Sequence, residues 1–181
     1  MNRQLDGIYF ILSLTNMIHE SLATDEDKRN SIAVGVKMGN RFANVVLRDR
    51  SEEIQLCLDD NARCGTQPFF RKTFNEALAD WNGGTNDIRE NLNPEINLGE
   101  NEYIPSMAQL YLILLNINEV NKALIEAGGN PMKEDWYWSS TERDVYFVWA
   151  VSFSDGCSSD EDKGNYYFVR PAVNFNLNNY E

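Results

Sequence analysis

The residues that could carry covalent or acid–base chemistry are few and badly spaced for it. His19 is the single histidine, and nothing around it resembles a nucleophile elbow, so a Ser-His-Asp or Cys-His arrangement has no base near a candidate nucleophile. Cys57, Cys64 and Cys157 make an odd set of three. Cys57 and Cys64 stand in a loop-like segment and could close a small disulfide, yet three free or partly buried thiols is the expected state. No second Cys-x-x-Cys pair or nearby histidine completes a zinc site. Asp155, Asp160, Glu161 and Asp162 offer oxygen ligands at close spacing, but no Asp-x-Asp-x-Asp-Gly loop frames them, and they read as a solvated acidic run. The phosphate-cradling glycine loops are missing as well. The expectation is a non-enzyme with no cofactor and no metal.

Recognition chemistry is better represented. Two aromatic and arginine blocks, Trp136-Tyr-Trp-Ser-Ser-Thr-Glu142 and Tyr167-Phe-Val-Arg-Pro171, bracket a freer stretch of small polar, acidic and aromatic residues. Tyr and Trp bring large contact area with few rotatable bonds, while Ser, Gly and Asn adapt their hydrogen bonding. Tyr146, Phe147, Tyr166 and Tyr167 are the candidate anchors, with Ser152, Ser154, Asp155 and Asp160 as a polar rim. The same four rings could instead complete the core, and periodicity does not choose between the two. Arg170 is expected to form a structural pair with Glu142, a ligand contact being the alternative.

These residues need a scaffold, and the chain is long enough to supply one. Its 181 residues are 43% hydrophobic and 12% aromatic, which argues for one ordinary domain rather than a disordered chain. Sixteen basic against 28 acidic side chains leave a net charge of −12, which repels a phosphate backbone and makes nucleic acid a poor partner. No apolar run is long enough for a transmembrane helix, and no membrane insertion is expected. The apolar stretch 8–14 follows Asp6 and lacks a small-residue cleavage site, so it reads as a strand and not a signal peptide.

Residues 7–14, 32–38 and 41–47 read as strands, the last two joined at Gly39-Asn40, and 54–58 as a further short strand or irregular piece. Residues 24–30 read as a charged connection. Thr73 and Ser106 are N-cap candidates for two helices, and 117–127 is a third, stopped by Gly128-Gly129. From Trp136 onward the period changes to two. Trp149, Val151 and Phe153 alternate with Ala150, Ser152 and Ser154, and Asp155-Gly156 marks a turn. Strands, then helices, then strands argue an α+β fold of two or three helices packed on twisted antiparallel sheets. Residues 1–60 form a strand-rich portion of the same domain, and 61–181 form the core with the C-terminal ligand-binding face.

Tyr137-Trp-Ser-Ser-Thr-Glu142, Trp149-x-Val151-x-Phe153-x-x-Gly156 and Val169-Arg-Pro171 together resemble the closing motifs of C-type-lectin-fold domains. They are similar in particular to the formylglycine-generating-enzyme-like branch of bacterial and phage proteins. Residues 77–81 and Ile104-Pro-Ser106 with Leu110 are similar to that family's helix and its Leu-Pro-Ser lead-in, with Ile104 in place of leucine. The likeness covers residues 73–175; Ala33-Val-Gly-Val36 is a weaker match.

One subgroup, the variable proteins of diversity-generating retroelements, randomises mainly asparagine codons on a constant scaffold. The resemblance implies ligand contacts at Arg143, Asp144, Tyr146, Phe147, Ala150, Ser152, Ser154, Asp155, Asp160, Asn165, Tyr166 and Tyr167. Val145, Cys157, Ser159, Asp162 and Gly164 would be free positions as well. Trp138, Glu142, Trp149 and Arg170 would be scaffold, as would Val151, Phe153, Gly156 and Lys163. Glu161 is unreachable from an asparagine codon. The implied function is receptor recognition or adhesion, with a protein or glycan ligand on a cell surface and a cell-surface or phage location. An undiversified bacterial surface or fimbrial lectin-like domain is the alternative. A formylglycine-generating-type oxidoreductase is a third; its cysteine chemistry would fall to Cys157, which has no companion thiol. The Glu-Pro-Asn and Trp-Asn-Asp signatures of calcium-dependent sugar binding are missing, since Gly83 follows Trp81-Asn82.

Overall fold

A computed structural model describes residues 5–50, 52–58, 73–85 and 92–175. Strands β1 (Gly7–Ser13), β2 (Asn16–His19), β3 (Ala33–Met38) and β4 (Arg41–Val46) form an antiparallel sheet in the order β2-β1-β3-β4. Gly39, at φ 59°, supplies the positive φ that the β3–β4 turn needs. Both faces of this sheet are covered. Ile8, Phe10, Val34, Val36 and Val45 enter the main core, while Tyr9, Ile11, Ala33 and Val46 enter a second cluster behind it. Two-sided burial explains why these strands read as apolar runs without clean alternation.

Four helices occur among the described residues, against two or three expected. The addition is α1 (Asp25–Arg29), inside the stretch read as a charged connection. Thr24 and Asp27 form a reciprocal capping box, with acids in the first turn and Lys28 and Arg29 in the last, so local electrostatics make a helix without a buried residue. Helix α2 (Phe74–Leu78) starts from Thr73 and Glu76 in the same way. Ser106 and Gln109 cap α3 (Met107–Leu115), which is apolar on several faces and packs against both β4 and the C-terminal sheet. Helix α4 (Ile117–Glu126) buries Val120, Ala123 and Leu124. It ends as the N–H groups of Gly128 (φ 76°) and Gly129 donate to the carbonyls of Ile125 and Leu124, a Schellman closure.

The C-terminal sheet has the order β7-β8-β9, from β7 (Trp136–Glu142), β8 (Phe147–Ser152) and β9 (Ser158–Asp162). Two short antiparallel pairs complete the pattern: β5 (Ile54–Gln55) with β10 (Tyr166–Tyr167), and β6 (Glu102–Tyr103) with β11 (Ala172–Val173). The arrangement is α+β with antiparallel sheets. The Asn44 side chain exchanges two hydrogen bonds with the backbone of Val173, and Val46 N–H donates to Pro171 O, tying β4 to the last strand. The expected boundary near residue 60 lies outside the described residues.

Two core tyrosines are held protonated by burial. It pushes the Tyr103 hydroxyl up to about 12, against a small opposing effect of the Gln109 amide that donates to it. Burial also raises Tyr137, with the Asp49 carboxylate adding to the rise. An unfolded tyrosine titrates near 10. Folding therefore opposes ionisation of these rings, and their contribution to stability is complete below pH ~10 and is lost as pH climbs through the folded values. The melting temperature should fall steeply between pH ~10 and ~12, with phenolate absorbance appearing together with the loss of structure. Full phenolate absorbance in a chain that keeps its native circular dichroism would contradict this burial.

Candidate functional site

The candidate site is assembled at one end of the β7-β8-β9 sheet. Strand β8 divides its side chains between two cores. Trp149 and Val151 face the helices, whereas Val148 and Ala150 face Leu56, Ile104, Trp138 and Val169. Trp138 also donates its indole N–H to the Ile54 carbonyl at 2.8 Å, fixing β7 against β5. The alternation expected for this strand is present, but both of its faces are interior. Ala150 (0% exposed) and Ser152 (1%) are therefore corrected from ligand contacts to buried residues. The Ser152 hydroxyl is engaged internally, 2.9 Å from that of Ser154.

The loop between β7 and β8 carries Arg143, Asp144, Val145 and Tyr146. Its shape follows from Asp144, whose Oδ1 accepts the N–H groups of Tyr146 (2.9 Å) and Phe147 (3.1 Å). That side-chain turn leaves the Tyr146 ring 45% exposed and buries Val145. Arg143 pairs with Asp160 on β9, and its guanidinium lies 5.7 Å from the Phe147 ring centroid. Phe147 is half-buried.

Lys163 holds this loop to the next one. The side chain is 3% exposed, and its ammonium lies 2.6 Å from Glu142 Oε1 and donates to the carbonyls of Asp144 and Val145. Its backbone N–H donates to Tyr146 O, and its carbonyl accepts from Leu56 and Cys57. One buried lysine thus clamps the Tyr146 loop to the turn that leads into β10. Beyond that turn Tyr166 is 59% exposed and Asn165 is exposed. Tyr167 is different: its ring packs against Trp138 (4.7 Å) and Trp136 (5.7 Å) and belongs to the edge of the core. Its hydroxyl is pushed up to about 12 by desolvation first and by hydrogen bonding to Glu161 second. Glu161 also accepts the Asn165 amide, so the residue that did not fit a randomised codon orders the turn.

The pairing expected for Arg170 is corrected. Its side chain is fully buried and donates to Asp49 Oδ1 at 2.6 Å and to the carbonyls of Val46, Asn130 and Pro131. Glu142 lies at the far end of β7, on Lys163. Sequence reasoning placed Lys163 on the scaffold but missed this role. A signal was present, since it is the only cation between Arg143 and Arg170.

At the opposite end of β8, Ser154, Asp155 and Cys157 are exposed. The Asp155 carboxyl is held below its usual range, first by the Ser152 hydroxyl and then by the Cys157 N–H. Asp155 in turn pushes the Cys157 thiol up, by hydrogen bonding and by its charge. A thiol kept protonated is a poor nucleophile. Cys57 is buried and disulfide-bonded, which overturns the expectation that it is a free thiol; Cys64 lies outside the described residues. His19 ends β2, its ring nitrogens 2.8 Å from Ser21 Oγ and 3.2 Å from Asp6 O. Among the described residues no group of three or more His, Cys, Asp or Glu side chains is placed to hold a metal ion.

The chain is thus an α+β protein whose second sheet ends in two clamped, aromatic-tipped loops. A fimbrial protein from Bacteroides ovatus ATCC 8483, of solved structure, is similar over 39% of this chain and 16% of its own, at 29% identity and a TM-score of 0.33. This chain therefore matches less than a fifth of that protein's length. No protein-family model matches the chain, and no curated protein sequence matches it. No helix among the described residues is long and apolar enough to cross a membrane.

Proposed function

We propose that this chain is a ligand-recognition protein, acting in receptor recognition or adhesion. Its contact face is the pair of loops around Tyr146 and Tyr166. The observation that carries this reading is the division of labour around Lys163. The clamp and the blocks behind it are buried, while the two tyrosines it positions stand in solvent. A rigid base with exposed aromatic tips needs little ordering on binding, which is where contact area becomes affinity. Arg143, Phe147, Asp160 and Asn165 complete the face, and the ligand is a protein or a glycan on a cell surface. A disulfide at Cys57 favours an oxidising location such as a cell surface.

In the finer reading the scaffold is C-type-lectin-like and the chain is a variable protein of a diversity-generating retroelement. Burial of Trp138, Trp149 and Arg170 suits scaffold positions, and exposure of Tyr146, Asn165 and Tyr166 suits varied ones. Burial of Ala150 and Ser152 favours the second reading, a surface domain with a fixed ligand, because free substitution there would disturb the core.

Two experiments test these readings. Sequencing the DNA around the gene should reveal a near-copy of the codons for residues 137–171, differing almost only at adenines, beside a reverse transcriptase. Its absence would leave the fixed-ligand reading. Tyr146→Ala with Tyr166→Ala should leave the melting temperature within about 2 °C while weakening binding to a ligand from glycan and protein arrays by at least tenfold, roughly. A large fall in melting temperature would make these rings structural and end the proposal.

A further inference from the structure

Among the described residues strand β9 pairs along one edge only, with β8, and the hydrogen-bond phase of its other edge follows from two flanking contacts. Ser152 N–H donates to Cys157 O, and Lys163 N–H donates to Tyr146 O. Both pairs continue the β8–β9 register, in which Val148 faces Glu161 and Ala150 faces Ser159. In an antiparallel ladder, hydrogen-bonded pairs recur at every second residue. Ser159 and Glu161 therefore turn their backbone groups toward β8, and Ser158, Asp160 and Asp162 turn theirs away. The Asp162 carbonyl accepts from Asn165 N–H in the turn. Both backbone groups of Ser158, both of Asp160 and the N–H of Asp162 have no partner among the described residues. All five residues of the strand are partly exposed.

We propose that the free edge of β9 is a docking site for an extended, lysine- or arginine-bearing segment of a protein partner, which adds to the sheet as a fourth strand beyond β9. The backbone groups supply the attraction common to any extended chain. Charge selects the occupant. Arg143 already balances Asp160 on one face of the strand. Among the described residues Asp162 on that same face and Glu161 on the other are paired with no cation, and they set the sign of the edge. A second copy of this chain would bring its own acidic edge against them, so like charge rejects self-pairing while a basic strand is admitted. The inference uses neither Tyr146 nor Tyr166: it rests on the backbone and carboxylates of β9, and Asp160, paired with Arg143, is the residue that borders both surfaces.

The probe is a short acetylated peptide alternating Lys and Val, titrated against the intact chain by fluorescence anisotropy. Two further versions carry N-methyl groups on one or the other alternate set of backbone amides, and another has Glu in place of Lys. The Lys peptide should bind and the Glu peptide should not. One N-methylated version should bind on the order of tenfold more weakly while the other matches the parent, because only alternate amides face β9. Asp160→Pro should weaken binding similarly. The lost N–H points away from β8, an edge position that tolerates proline, and Asp160→Asn separates that effect from loss of charge. If Asp160→Pro fails to melt like the parent, the methylated peptides still decide on the unaltered chain. Equal binding of both methylated versions, no binding of the Lys peptide, or dimers of the chain that Asp160→Pro dissolves would each overturn the proposal. Loss of array ligands on removing Tyr146 and Tyr166, with peptide binding intact, would separate the two surfaces.

Discussion

Arg170→Met should cost about 3–5 kcal/mol of folding stability, the range for removing one partner from a buried ion pair. The guanidinium is fully buried and spends its donors on Asp49 and on three carbonyls from two separate segments, Val46 at the end of β4 and Asn130 with Pro131 after α4. Methionine fills similar space but leaves the Asp49 carboxylate and those carbonyls without a donor. Arg170→Lys should recover little, because one ammonium cannot reproduce a planar fork reaching four acceptors. Denaturant unfolding of both variants gives the answer directly. A loss under about 1 kcal/mol for either would mean that water enters this cluster and that the arginine is not the tie between sheets. Adding Asp49→Asn to Arg170→Met should restore part of the loss, since the orphaned charge is then gone.

The second large effect is expected at Lys163, and it should reach function as well as stability. Lys163→Met removes the cation from Glu142 and a donor from the carbonyls of Asp144 and Val145. Glu142 keeps some solvent access, so the stability loss should be smaller, about 2–3 kcal/mol. The loop it releases carries Tyr146, and the turn beside it leads to Tyr166. Ligand affinity should therefore fall even at temperatures where the variant is fully folded, because loop ordering is then charged against binding. The two readouts separate the roles. Weakened binding with folded protein supports a positioning lysine; unchanged binding would show that the tyrosines do not depend on the clamp.

How much of this was legible varies with the range of the interaction. The N-caps at Thr73 and Ser106, the Gly39 turn and the Gly128-Gly129 stop are local chemistry and are readable. The capping box at Thr24 is equally local, but Asp takes the place of the usual Glu or Gln, so the segment reads as a charged connection. Strand β9 reads as a polar run in the sequence, since Ser158–Asp162 has no apolar residue and owes its extended form to pairing with β8. Periodicity found the alternation in β8 but assumed that its small polar face met water. That face meets a second core built from Leu56, Ile104, Trp138 and Val169, so Ala150 and Ser152 are buried.

The sequence by itself determined the α+β class, most of the helix caps and the turns, because caps and turns depend on side chains within a few positions of one another and the class follows from the order of the elements. Its scarcity of bases and nucleophiles sets an expectation of binding over catalysis. The tertiary structure alone decided which aromatics are exposed, that Arg170 pairs with Asp49, and that Lys163 pairs with Glu142. Those outcomes depend on which distant segments come to lie against one another. A buried charge takes whichever partner the packed chain brings within reach, and no spacing along the sequence encodes that distance.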